Sequence, residues 1–169
     1  HDIAKDKKIV TTVGRINKRK NLEDFIEMAA VIRKKREDVI FAVVGEAHFN
    51  EEVKYKERLK ELVKKKRLDD AFIFTGRQMQ LPYIMRSSDV ITISSFHEGF
   101  GRVIVEAMAC EKPVVGCDSG AVAEIMDYCE SGEIYPIGNA RAFADSVARL
   151  LDDTDEARRL GQAGKKRVE

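Results

Sequence analysis

Short apolar runs rich in β-branched residues alternate with helix-periodic segments along the whole sequence, and few folds satisfy that alternation. Lys8–Gly14 (KIVTTVG), Val39–Gly45 (VIFAVVG), Ala71–Gly76 (AFIFTG), Asp89–Ser94 (DVITIS), Pro113–Gly116 (PVVG) and a weaker Glu133–Pro136 read as strands. Helical patterns separate them. The first carries Leu22, Phe25, Ile26, Ala29 and Ile32 on one face, with Asn21 as its expected cap. The next runs from about Glu52 to Arg67, and shorter ones cover Leu81–Ser87, Phe100–Cys110 and Val122–Met126. After the sixth strand Ala140, Phe143, Ala144, Val147, Ala148 and Leu151 recur at helical spacing, and Thr154 is the expected cap of a last helix, Asp155–Arg167. Strands apolar on both sides need cover on both faces, so the expected fold is α/β, a doubly wound parallel sheet of about six strands with helices on both faces.

At 169 residues the chain has room for one such domain. It opens His1-Asp2-Ile3 without a Met, from which a piece of a longer protein is expected. Runs such as Ile40–Val44 are too short to span a bilayer. Cys110, Cys117 and Cys129 form no C-x-x-C pair and are expected to be buried, reduced and cytoplasmic. His1, His48 and His97 have no ligand spacing, so no metal site is expected. The net charge of +1 conceals an uneven distribution, because residues 1–67 hold 19 Lys/Arg against 12 Asp/Glu. The clusters Arg33–Arg36 and Lys64–Arg67 are read as complements to two helix C-termini. They lack the interleaved aromatics of a nucleic-acid surface, and no nucleic-acid partner is expected.

Open parallel sheets bind ligands beyond the carboxyl ends of their strands, where the strand order reverses. In the common order 3-2-1-4-5-6 that point lies between the first and fourth strands. The loops after those strands are the richest in chemistry. Gly14-Arg15-Ile16-Asn17-Lys18-Arg19-Lys20-Asn21 places four cations before a helix, which suits phosphate; a solvated basic turn is the alternative reading. Glu98-Gly99-Phe100-Gly101-Arg102-Val103 brings two glycines and a helix start to the other side. Glu106 follows on an apolar helix, where a carboxylate needs either a cationic partner or a ligand such as vicinal hydroxyls.

These residues resemble the donor-binding, C-terminal half of a GT-B glycosyltransferase of the retaining family four (glycosyl transferases group 1). The resemblance runs from G-R-x(4)-K-N at Gly14–Asn21 through F-T-G at Phe74–Gly76 and S-D-V at Ser88–Val90. It continues through E-G-F-G-x(4)-E-A-M-A at Glu98–Ala109 and K-P-V-V-G at Lys112–Gly116. It implies a Rossmann-like domain over residues 1–169, an N-terminal acceptor domain outside this chain, and a chain that runs on into a helix crossing back to that half. Catalytic roles are implied for Glu98, Arg15 and Lys20. The implied donor-binding residues are Gly14, Arg15, Lys20, Arg77, Glu98, Gly99, Phe100, Gly101, Arg102, Val103 and Glu106. Arg15 and Lys20 would hold the diphosphate, Glu106 the ribose hydroxyls, Glu98 the transferred sugar, and Arg77 the nucleobase. The implied substrate is a UDP-, GDP- or ADP-sugar, with no metal or other cofactor, and the implied location is cytoplasmic. Membrane association would come only through absent regions or a lipid acceptor.

Three positions depart from the family pattern: Glu111 where Gly is usual, Arg102 where Leu is frequent, and the turn Asp118–Ala121. His97 reads as a loop residue. A non-catalytic nucleotide-sugar module, or an epimerase or phosphorylase of the same architecture, is the alternative. A nicotinamide dehydrogenase is disfavoured because G-x-G-x-x-G does not follow the first strand.

Overall fold

The computed structural model describes residues 6–169, the Tyr128 side chain excepted; His1 lies outside the described residues. Six strands, β1 (Lys8–Val13), β2 (Val39–Val44), β3 (Phe72–Gly76), β4 (Val90–Ile93), β5 (Val114–Cys117) and β6 (Glu133–Tyr135), form one sheet in the order β3-β2-β1-β4-β5-β6. Every pairing is parallel: Lys8–Val13 of β1 lie against Val39–Val44 of β2, and Val10 of β1 faces Val90 of β4. The chain reverses direction across the sheet between β1 and β4, as the expected strand order requires.

Among the described residues seven α-helices connect and cover the strands: α1 (Leu22–Arg33), α2 (Asn50–Lys65), α3 (Leu81–Ser87), α4 (Arg102–Ala109), α5 (Val122–Ile125), α6 (Ala140–Asp152) and α7 (Thr154–Val168). Alternate strand residues feed two cores. Val10, Phe41, Val43, Phe72, Val115 and Tyr135 pack under α1, α2 and α6. Val13, Val44, Ile91, Ile93 and Val114 pack under α3, α4 and α5. Cover is uneven on this second face: a groove of about 270 Å³ lies open beside α3, floored by Ile9, Thr11, Ala42, Val44, Ile73 and Thr75 of β1–β3.

Several local expectations are corrected. Asn21 precedes α1, but its side chain caps nothing: the residue is left-handed (φ 45°), and its backbone N–H closes the preceding turn onto Lys18 O. Asp153, not Thr154, caps α7, accepting from the Glu156 N–H at 2.9 Å. Asp out-competes Thr there because it stands one residue ahead of the first helical position. Of the cysteines only Cys117 is buried; Cys110 is partly buried and Cys129 exposed. The basic clusters lie at the C-termini of α1 and α2, with Arg33 donating to Glu37 O and Arg36 forked onto Asp38. Glu111 takes the left-handed conformation (φ 57°) at the position where the family carries Gly, and its carboxylate holds Lys165 at 2.6 Å.

Candidate functional site

At the carboxyl end of β1 the chain turns at Gly14, and the following loop is stitched to the end of β2. Gly14 N–H donates to Val44 O and Ile16 N–H to Glu46 O, both at 3.0 Å, while the Ile16 side chain is fully buried. A single 3-10 turn, Lys18–Lys20, then brings the chain to α1. The loop after β4 is tied to the same turn: Phe96 N–H donates to Arg19 O at 2.9 Å and Ser94 Oγ to Lys20 O at 2.8 Å. Two loops far apart in sequence thus form one wall across the switch point.

Lys20 Nζ meets Glu98 Oε2 at 3.0 Å, and each side chain is only 14% exposed. Burial raises the Glu98 carboxyl, but the Lys20 ammonium outweighs it, so the group ionises below the ordinary glutamate range. The folded-state pKa is therefore depressed. The pair contributes stability above the unfolded glutamate pKa, and that contribution is lost as pH falls through the folded value. In Lys20→Met, burial is opposed only by Ser95 and Arg19, and Glu98 will titrate higher than in the parent; side-chain carbon NMR against pH reads the change, and an unmoved titration would separate the two groups.

Glu98 is held from behind by the turn after β5. Ala121 N–H donates to Glu98 O at 3.0 Å, and Ser119 Oγ bonds Phe96 O. Gly120 (φ 60°) lies so close that a Cβ there would stand 2.2 Å from Glu98 O, so this turn needs a residue without a side chain. Beyond Glu98, Gly101 forms the N-cap of α4. The Arg102 and Val103 N–H groups open that helix, where backbone donors have no partner within the helix.

Together Gly14, Arg15, Lys20, Glu98, Gly99, Phe100, Gly101, Arg102 and Val103 line one cleft of about 380 Å³. Asn17 and Arg19 line it too and were not singled out from the sequence. Arg15 is aimed by neighbours that motif reading missed: Glu52 pairs with its Nε at 3.2 Å, and the Phe49 ring lies 5.7 Å from its guanidinium carbon. Two expected residues lie outside this cleft. Arg77 lines an adjoining concavity of about 210 Å³ that shares Gly14 and Arg15 with it. Glu106 is exposed on α4, without an ion pair among the described residues. The expectation of a buried carboxylate in need of a partner is thereby corrected, because Arg102, Glu106 and Ala109 form the solvent-facing stripe of that helix. His97 is exposed. No group of three or more His, Cys, Asp or Glu among the described residues is arranged to hold a metal ion.

The doubly wound sheet, the cationic cleft at its switch point and the glycine-bordered helix start are features with which α/β domains of this class bind anions. The chain matches the family described as Glycosyl transferases group 1 over residues 1–167, and it belongs to that family. It is 26% identical to the N-acetyl-alpha-D-glucosaminyl L-malate synthase of Bacillus anthracis over 99% of this chain and 42% of that protein. The crystal structure of Anabaena HepE in complex with UDP superposes with a TM-score of 0.90 at 26% identity, covering 96% of this chain and 44% of that one. The C-terminal domain of the group 1 glycosyl transferase LpcC from Francisella tularensis superposes with a TM-score of 0.86 at 32% identity, covering 95% and 84%. The chain thus spans less than half the length of the curated relatives it matches. No helix among the described residues is long and apolar enough to cross a membrane.

Proposed function

We propose that this chain is the donor-binding half of a retaining, metal-independent glycosyltransferase, which moves a sugar from a nucleoside diphosphate to a glycan, lipid or small-molecule acceptor. The observation that carries the reading is the Lys20–Glu98 pair at the switch point, with the first N–H groups of α4 opening into the same cleft. Donor binding draws Lys20 to the diphosphate and frees Glu98 to accept hydrogen bonds from the sugar hydroxyls. Lys20 and Arg15 then stabilise the charge that grows on the departing nucleotide, the role a bound cation fills in other transferases. Arg77 in the adjoining concavity meets the nucleobase, and Glu106, exposed on α4 outside the cleft, takes the ribose hydroxyls. The UDP and UDP-glucose complexes of HepE support a donor of this class. The acceptor site and the rest of the catalytic environment belong to the remainder of the full-length protein, so the domain alone transfers little or no sugar. A nucleotide-sugar donor also fits a cytoplasmic location, peripheral at the inner membrane face if the acceptor is a lipid.

Thermal unfolding with UDP, GDP or ADP tests the reading. At a hundred times Kd the matching nucleotide adds about 2.7 kcal/mol, which raises Tm by roughly 5–11 °C for a domain of this size. If none of the three shifts either the domain or the full-length protein, the donor site is misassigned.

A further inference from the structure

A second concavity, of about 550 Å³, flanks the same Lys18–Lys20 turn and shares no lining residue with the donor cleft. Three of its features stand unsatisfied. Asn21 is 4% exposed there, and its Nδ2 has no hydrogen-bond partner. Lys18 and Arg58 are exposed cations that join no ion pair among the described residues. The Phe96 ring is 56% exposed on the loop that carries Glu98. The only acid in the lining, Glu23, already accepts a hydrogen bond from the Tyr55 hydroxyl. Leu59 and Leu62 of α2 complete an apolar wall.

We propose that this concavity is a second ligand site, for a phosphate monoester that carries a ring. Two unpaired cations set against the single carboxylate of Glu23, already engaged by Tyr55, leave the lining net positive, which selects an anion rich in oxygen. Phe96 and the leucine wall ask for a flat or ring-shaped apolar face, which inorganic phosphate lacks. The volume lies within the range of small-molecule sites. Because Phe96 N–H bonds Arg19 O and Ser94 Oγ bonds Lys20 O, a ligand seated here presses on the backbone that presents Lys20 and Glu98. The assignment stands on residues outside the donor cleft, so it does not depend on what that cleft binds.

Phenyl phosphate titrated into the isotopically labelled domain tests the site by amide chemical shifts. The expected response moves Lys18, Asn21, Arg58 and Phe96, with millimolar or tighter affinity. Arg58→Ala and Phe96→Ala each weaken it by about tenfold, the loss of one charge-assisted or stacking contact. Lys20→Ala, which empties the donor cleft of its ammonium, leaves it unchanged. Shifts confined to Gly99–Val103, or an affinity that falls with Lys20→Ala and not with Arg58→Ala, would place the phosphate in the donor cleft and overturn the second site. Equal affinity for inorganic phosphate would overturn the ring-bearing class, and no response at millimolar concentration would overturn the site itself. UDP run beside it reports on the donor cleft, so the two assignments fail separately.

Discussion

Lys20→Ala will weaken binding of whichever of UDP, GDP or ADP the domain takes by roughly 100-fold while leaving the fold intact. The ammonium offers a charge-assisted contact worth about 1.5–3 kcal/mol to a phosphate oxygen. Its loss also strands Glu98, 14% exposed in the same cleft, as an uncompensated carboxylate facing an incoming diphosphate. The two effects have the same sign and sum to roughly 3 kcal/mol, or about two decades in Kd. Titration calorimetry on the domain measures the change. In the full-length protein kcat/KM should fall further than affinity, by a factor of about 100–1000 beyond it, because charge on the leaving nucleotide is greatest in the transition state. A variant that bound that nucleotide as tightly as the parent would remove Lys20 from the donor site.

Gly45→Ala will be the most damaging single methyl in the domain. Gly45 follows β2 at φ 150°, and a Cβ on it would stand 1.9 Å from the carbonyl oxygen of Gly14. Neither partner is a side chain that can swing aside: the contact is backbone against backbone, where two neighbouring strands release their loops. The conformation costs an alanine roughly 1–3 kcal/mol and the overlap about as much again, so the loss is roughly 4 kcal/mol and the fall in Tm about 8–16 °C. Gly99→Ala is the internal control. A Cβ there meets nothing within 4 Å, and its Tm should stay within about 2 °C of the parent. Equal melting temperatures for the two variants would mean that the β1 and β2 loops do not approach each other in solution as closely as they do here.

Most of the architecture was readable from residue order because it rests on local periodicity. Double-sided apolar runs give strands, and the lone open question, strand order, is settled by the pairing of Val10 with Val90. Asn21 and Thr154 were misjudged because capping depends on backbone torsions one residue away, and sequence does not reveal which of two adjacent polar residues enters the helix first. Glu106 was misjudged for a different reason. The apolar composition of Arg102–Ala109 hides a narrow exposed stripe at Arg102, Glu106 and Ala109, which the helical period exposes when it is counted. The nine cleft residues named from loops and motif came together because they border one switch point. Glu52, Phe49, Gly45 and Gly120 went unnoticed, since they act by contact across the chain: Glu52 aims Arg15, and Gly120 admits the backbone of Glu98.

The groove beside α3 gives the sheet a firm half and a soft half. β4 and β5 are buried between two layers of helices, whereas β3 at the sheet edge leaves Ile73 and Thr75 partly wetted. Breathing motions, which begin where apolar contacts are fewest, will start at that edge. The concavity holding Arg77 hangs from the soft half, and the wall holding Glu98 from the firm one. A donor bridging the two would find its sugar and phosphates gripped by a rigid frame and its base met by a yielding one.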